Sequence, residues 1–550
     1  MDAGESVVTT DARAGAGEDD LFHEEPMAGF RKEASRGSSL FLDRPPAAGG
    51  EDEAGGVGFA RAFDRKEGQM QRMSSLDASF LHLEDGVTQL HIGSVTILEG
   101  PPPPFEAVLE MVSRKLPLVP RYRQTVRFVP LSLGNPVWVD DPHFNLRYHV
   151  RRTALPAPGG EEELRILVGR IMSQQLDRAK PLWEMWMVEG LGEGRWGLVS
   201  KVHHCMVDGV AGTDLLTVIL DSERDTPPPP AESWEPEAAP SGIQLLADGL
   251  VRRAVSPYEI ARTAGSALRA PRELARAVED TARSVIGMRD LVRLTPSSSL
   301  NGPIGPHRRW SWARSQLSDV KVVRTVLGGT VNDVVLACIT NGFRELLLSR
   351  GESIDRVVRT MVPVSVRSPG ERGTYNNRVS AMFASLPVGI EDPAERLESI
   401  RRQMDGLKEA KQAVAGEVLT SLSGFAPALL LALGERVAAR VPQRNINTVT
   451  TNVPGPQFPL YAAGRRLLEA FPYVPLGGRV RIGIAIFSYH GALNFGVTGD
   501  YDTAPDIDVL CDGIERGISE LVAIASPASE DAPATTPAPE PGAPVAEPES

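Results

Sequence analysis

The segments 91–98 (HIGSVTIL) and 195–202 (RWGLVSKV) carry the apolar pattern of strands, whereas 161–176 (EEELRILVGRIMSQQL) and 331–348 (VNDVVLACITNGFRELLL) repeat apolar residues at helical spacing. The stretch 480–501 (VRIGIAIFSYHGALNFGVTGDY) again reads as strand, and 210–220 (VAGTDLLTVIL) suits a buried helix. Mixed α/β structure is therefore expected on both sides of a proline-rich break at 225–242 (DTPPPPAESWEPEAAPSG). Beyond the break, 243–293 reads as helical and arginine-rich, and no short repeat is visible. Residues 1–70, rich in Gly, Ala, Glu and Asp, and 526–550, built of Pro, Ala and Glu, are expected to be disordered. The expected organisation is an acidic extension at 1–70, a first domain at 73–224, a linker and helical connector at 225–307, a second domain at 308–525 and a tail at 526–550.

Length supports this division, since 550 residues exceed one ordinary hydrophobic core. The net charge of -13 changes the picture less than its location. Residues 1–70 hold fifteen acids against eight bases, and 526–550 hold five acids and no base, so the body is close to neutral. No strong basic field is left to bind nucleic acid. The three cysteines, Cys205, Cys338 and Cys511, lie far apart and form no CxxC pair, which fits a reducing cytoplasm. No basic stretch followed by an apolar one opens the chain, so no signal peptide is expected. The most apolar run, 425–434 (FAPALLLALG), is too short to span a bilayer.

Chemistry concentrates at 203–209 (HHCMVDG), between the strand pattern of 196–202 and the helix pattern of 210–220. Strand neighbours point to opposite faces, so His203 and His204 cannot easily share one task. One should face a cleft and the other should be packed. Four readings are open: a zinc site, a turn with buried histidines, a Cys205 nucleophile, and a general base. Zinc wants three or four ligands at helical or hairpin spacing, and neither HExxH nor HxxEH is present. Cys205 adjoins a histidine, but adjacent side chains diverge. A neutral imidazole suits proton abstraction from a hydroxyl, with Asp208 fixing the loop and Gly209 permitting the turn.

HHCMVDG matches the HHxxxDG motif of the acyltransferase superfamily that includes chloramphenicol acetyltransferase and peptide-synthetase condensation domains. LDRAKPLWEMWMVEGL (176–191), SLNGPIGPHRRWSWA (299–313), GGTVNDVVLA (328–337), NNRVSAMFASLPV (376–388) and TNVPGP (451–456) follow the pattern in order. Together, from Met73 to Ala525, they closely resemble the bacterial bifunctional wax ester synthase/diacylglycerol acyltransferase family. The resemblance implies an α/β fold of two chloramphenicol-acetyltransferase-like domains with a tunnel between them. It implies transfer of a fatty acyl group from acyl-CoA, as substrate and not cofactor, to diacylglycerol or a long-chain alcohol. By the family pattern His204 is the general base, His203 is supportive and Asp208 is structural, with Arg378 a candidate partner for Asp208. No cofactor and no metal are expected.

The remaining motifs carry two readings each. Asn332 is either a helix N-cap or an oxyanion donor, and Asp333 is a first-turn helix charge or, since the family carries the two as a motif, a substrate-binding residue with Asn332. The PLWEMW stretch (181–186) supplies strand-start and core residues or lines an acyl channel. The TNVPGP stretch is a rigid turn, or places Asn452 and Gly455 against substrate. Because the substrates are nearly insoluble, the segments 250–295, with nine arginines against five acids, and 425–442 are candidates for contact with a membrane or lipid-droplet surface. The expected location is cytoplasmic, with peripheral association. Two rivals remain: a superfamily member that takes its donor from a carrier protein, and a non-catalytic lipid-surface protein.

Overall fold

In this computed structural model, residues 71–206, 219–226, 234–251, 298–365, 379–409 and 446–526 are described. Asp208, Gly209, Arg378, the run 425–434 and the expected terminal tails (Ser526 excepted) lie outside them, as does the arginine-rich stretch beyond Val251.

The strands run in chain order as β1 (Gln71–Arg72), β2 (His91–Leu98), β3 (Gln124–Arg127), β4 (Val137–Asp140), β5 (Val150–Ala154), β6 (Trp183–Glu189), β7 (Trp196–His203), β8 (Arg308–Gln316), β9 (Val358–Ser365), β10 (Val379–Leu386), β11 (Thr448–Pro454), β12 (Tyr461–Ala462), β13 (Arg465–Tyr473), β14 (Ile482–Tyr489) and β15 (Ala492–Asp500). They form two six-stranded mixed sheets, ordered β12-β13-β2-β7-β6-β5 and β10-β9-β11-β14-β15-β8, and a small sheet β1-β4-β3. The strand-like stretch 480–501 is thus a hairpin, β14–β15, closed by His490 and Gly491, both at positive φ (44° and 88°). In the first sheet only β5 and β6 are parallel, and β13, from late in the chain, pairs with β2. The first sheet therefore draws strands from both sides of the proline-rich break.

Helices cover the sheets: α1 (Ser75–Leu83), α2 (Phe105–Lys115), α3 (Leu146–His149), α4 (Glu161–Met172), α5 (Gly242–Val251), α6 (Leu317–Leu327), α7 (Val331–Ser349), α8 (Pro393–Glu409) and α9 (Ile507–Ala525). Helix α4 shows why the boundaries fall where they do. Glu163 accepts a hydrogen bond from the Gly160 N–H at 2.8 Å, and three glutamates occupy the first turn, where the helix dipole favours them. Leu164, Val168, Ile171 and Met172 make its buried stripe. The helix stops at Met172, short of the 176 expected from periodicity. Ser173 Oγ bonds back to the Gly169 carbonyl at 2.6 Å, and the buried Lys201 ammonium donates to the Ile171 carbonyl (2.9 Å) and to that of Gln174. Tertiary donors at the helix end replace the turn that the sequence pattern would have continued.

One face of the first sheet packs Leu98, Trp183, Met185, Leu198 and Val202 against α2 residues Val108, Met111 and Val112. The other face packs Val95, Ile97 and Val199 against α4 and against Trp310 and Trp312 of β8. Arg314 of β8 ties the same region together, bonding Glu469 of β13 and Glu161 of α4, each at 2.6 Å. The second sheet buries Ile482, Ile484, Ile486, Phe495 and Val497 under α7 and α9. Among the described residues no single helix is long and apolar enough to cross a membrane.

Candidate active site

Strand β7 delivers the histidine pair. In the antiparallel β2–β7 ladder His91 lies directly opposite His203, and the chain then leaves the sheet in a short 3-10 turn, His204–Met206. The His204 N–H donates to the Leu90 carbonyl at 2.9 Å, which anchors the turn to the end of β2. The two histidines are inequivalent. His203 is buried, on the sheet face that also carries Lys201 and His91, while His204 is partly exposed. Period-two alternation along β7 accounts for this, with even-numbered Leu198, Ser200 and Val202 on the opposite face. Those three, with Ile92, Ser94, Thr96, Met185, Ile219 and Leu220, line a mostly apolar cavity of about 60 Å³.

The His204 ring stacks on Phe80 of α1, with centroids 4.1 Å apart. Its Nδ1 is buried and has no hydrogen-bond partner among other described residues. Burial lowers its pKa from 6.5 to about 4, opposed by its own main chain and reinforced by His203, so the imidazole is neutral near pH 7. His203 accepts the Cys205 N–H at Nδ1 (3.1 Å), leaving the ring proton on Nε2. Cys205 is buried, and burial followed by the Asp77 charge pushes its thiol pKa well up, which opposes nucleophile chemistry there.

A buried charge cluster surrounds the base of the motif, and sequence reasoning missed it. Glu84, the C-cap of α1, places Oε1 3.2 Å from His91 Nε2 and 3.6 Å from His203 Nε2, while Oε2 takes Arg178 at 2.8 Å. Burial alone would raise the Glu84 pKa, but the close approach of the His203 and His91 rings and the hydrogen-bonded Arg178 guanidinium outweigh it and hold the carboxyl well below the usual range. Burial also takes His91 down to about 4, against the pull of Glu84. It brings Lys201 down to about 8, opposed by Glu184 and Glu84. The only sequence signal for this cluster was an acid closing an apolar helix, seven residues before a strand histidine.

The other candidates fall elsewhere. Asn332 is not the N-cap of α7. That role belongs to Thr330, whose Oγ1 accepts the Asp333 N–H at 3.3 Å, while Asp333 Oδ2 accepts the Thr330 N–H at 2.8 Å. The cap falls two residues early because Gly328 and Gly329, both at positive φ, finish the turn from α6. Asp333 is buried in the first turn of α7, and among the described residues no hydrogen bond, ion pair or ring contact joins it or Asn332 to either histidine. Asn452 lies half-buried on β11. The ladder from β11 to β9 ends at Val449, so beyond it Asn452 is paired, among the described residues, through β14 alone. Its neighbour Val453 packs against the cluster holding Val202 and Met206. Gly455 follows directly, where a Cβ would overlap the Ser488 carbonyl and press on Phe487. Among the described residues no group of three His, Cys, Asp or Glu side chains is placed to hold a metal ion.

Two mixed sheets, with the histidine pair at the end of a central strand, make a fold shared with condensation domains. The first condensation domain of the calcium-dependent antibiotic synthetase, in complex with a substrate analogue, shares the fold at 17% identity and a TM-score of 0.53, covering 84% of this chain and 97% of that one. The family model for the wax ester synthase/diacylglycerol acyltransferase catalytic domain matches residues 73–335, and that for the family's C-terminal domain matches 375–522. The chain belongs to the wax ester synthase/diacylglycerol acyltransferase family. It is 39% identical over 463 residues to a diacylglycerol O-acyltransferase, by its name, of Mycobacterium tuberculosis, covering 83% of this chain and 96% of that protein. A wax ester synthase/diacylglycerol acyltransferase from Marinobacter aquaeolei is similar in structure, at 26% identity and a TM-score of 0.60, covering 83% of this chain and all of that one.

Proposed function

We propose that this enzyme moves a long-chain fatty acyl group from acyl-CoA to the free hydroxyl of diacylglycerol, and also to long-chain alcohols, with His204 as the general base. The observation that carries the reading is the His204 ring itself: partly exposed, stacked on Phe80, with Nδ1 buried. That leaves Nε2 for a substrate hydroxyl. As the acceptor oxygen attacks the thioester carbonyl, Nε2 takes the hydroxyl proton. The tetrahedral intermediate then collapses, the C–S bond breaks, and the imidazolium returns the proton to the CoA thiolate. A thioester is already activated, so no covalent enzyme intermediate is needed.

His203 holds the turn, and Asp208 and Gly209 are assigned the loop beyond it by the motif alone. The division into a first domain at 73–224 and a second at 308–525 remains part of this reading, as does a lipid-surface location. The acceptors support that location, since they partition into membranes and droplets.

The test is product chromatography from labelled palmitoyl-CoA, with diacylglycerol and hexadecanol offered separately. Wild type is expected to form triacylglycerol and wax ester, and His204→Ala to lower kcat by about three orders of magnitude with an unchanged circular dichroism spectrum. Turnover at the wild-type rate in that variant would remove His204 as the base.

A further inference from the structure

Helix α1 touches both histidines of the motif, with residues one helical turn apart. Phe80 stacks on His204, and Glu84 reaches the buried ring of His203. The Glu84 side chain is only 2% exposed, and its two oxygens have different duties. Oε2 is taken by the Arg178 guanidinium through Nη2 (2.8 Å) and Nε (3.2 Å). Oε1 faces the Leu90 N–H (3.4 Å), His91 Nε2 (3.2 Å) and His203 Nε2 (3.6 Å). His203 Nε2 is buried and has no other acceptor among the described residues.

The opposite side of the His203 ring is equally specific. The Cys205 N–H at 3.1 Å needs a lone pair on Nδ1, so the ring proton must sit on Nε2, facing Glu84. Were the proton on Nδ1, two donors would oppose each other and the His204–Met206 turn would open. The 3.6 Å gap exceeds hydrogen-bond length, as such contacts often do before substrate binds.

We infer that Glu84 is a positioning residue for acyl transfer: its Oε1 holds His203 in the Nε2–H tautomer, His203 pins the Cys205 amide, and the pinned turn presents His204 to the substrate. This rests on His204 being the base. Glu84 itself touches neither substrate nor reacting atoms.

The test is a double-mutant cycle on the full chain with palmitoyl-CoA and diolein. Glu84→Ala should lower kcat about tenfold with KM for palmitoyl-CoA changed less than about twofold, and Glu84→Gln, which keeps an acceptor oxygen, should restore at least about half of wild-type kcat. In a His203→Asn background the amide oxygen can accept the Cys205 N–H without a tautomer to select. There Glu84→Ala should change kcat less than about twofold. An equal loss in both backgrounds, or Glu84→Gln as impaired as Glu84→Ala, overturns the inference. Should Glu84→Ala not fold, imidazole 15N shifts of the wild type and of Glu84→Gln decide it, since a proton on His203 Nδ1 in the wild type refutes the scheme. An active His204→Ala variant would instead remove the base assignment, which this tautomer measurement does not depend on.

Discussion

Acidification tests the environment of His204 directly. An exposed histidine titrates near 6.5, whereas burial takes His204 to about 4. The difference amounts to roughly 3 kcal/mol in favour of the neutral imidazole. The sign follows from the direction: the base form is present above the folded pKa and is lost as pH falls through it. At pH 6 an ordinary histidine would be neutral in only about a quarter of molecules, but His204 in nearly all. The log of kcat/KM, measured with palmitoyl-CoA and diolein in mixed micelles from pH 3.5 to 8, should therefore stay flat down to about pH 5 and fall only below that. His91 also titrates near 4, so the same series on His91→Gln separates the two: its acid limb should stay in place if His204 sets it. An acid limb centred at or above pH 6.5 in the wild type would refute the neutral base.

Two further outcomes follow from packing. Trp183→Ala empties a buried site where the indole N–H donates to the Tyr122 carbonyl (2.8 Å) and the ring stacks on His149 (4.6 Å). It should cost about 3–5 kcal/mol, read as a fall in the guanidinium midpoint, and an unchanged midpoint would contradict the packing. Thr330→Ala removes the cap of α7 and strands a buried Asp333, costing about 1–2 kcal/mol, whereas Thr330→Ser should stay close to wild type in thermal melts.

The histidine pair and the strand before it were legible because alternation fixes which side chains share a face, while most of the helix expected at 210–220 lies outside the described residues. Strand 91–98 and helix 331–348 emerged with boundaries within one residue. Helix α4 was overrun because Lys201, thirty residues on from Ile171, ends it. No local pattern reports a donor from another strand. The α7 cap was misplaced despite a readable signal: TVND is itself a Thr-x-x-Asp capping box, and Asn332 drew attention away from it. Glu84, His91 and Arg178 stayed hidden because their meaning lies in convergence. Each alone is an ordinary charged or polar residue, and only the sheet register sets His91 opposite His203.

Strand β13 bears on how the enzyme is made. The histidines lie on a sheet whose β2 finds its outer partner only in residues 465–473, with Phe471 opposite Val95. On the ribosome, the early half emerges with β2 as a bare edge, open to strand addition by any neighbour, until most of the chain has been synthesised. A gene split at the proline-rich break would leave that edge open in one fragment and its missing strand in the other. Two such fragments should complement each other when co-expressed, and either alone should aggregate.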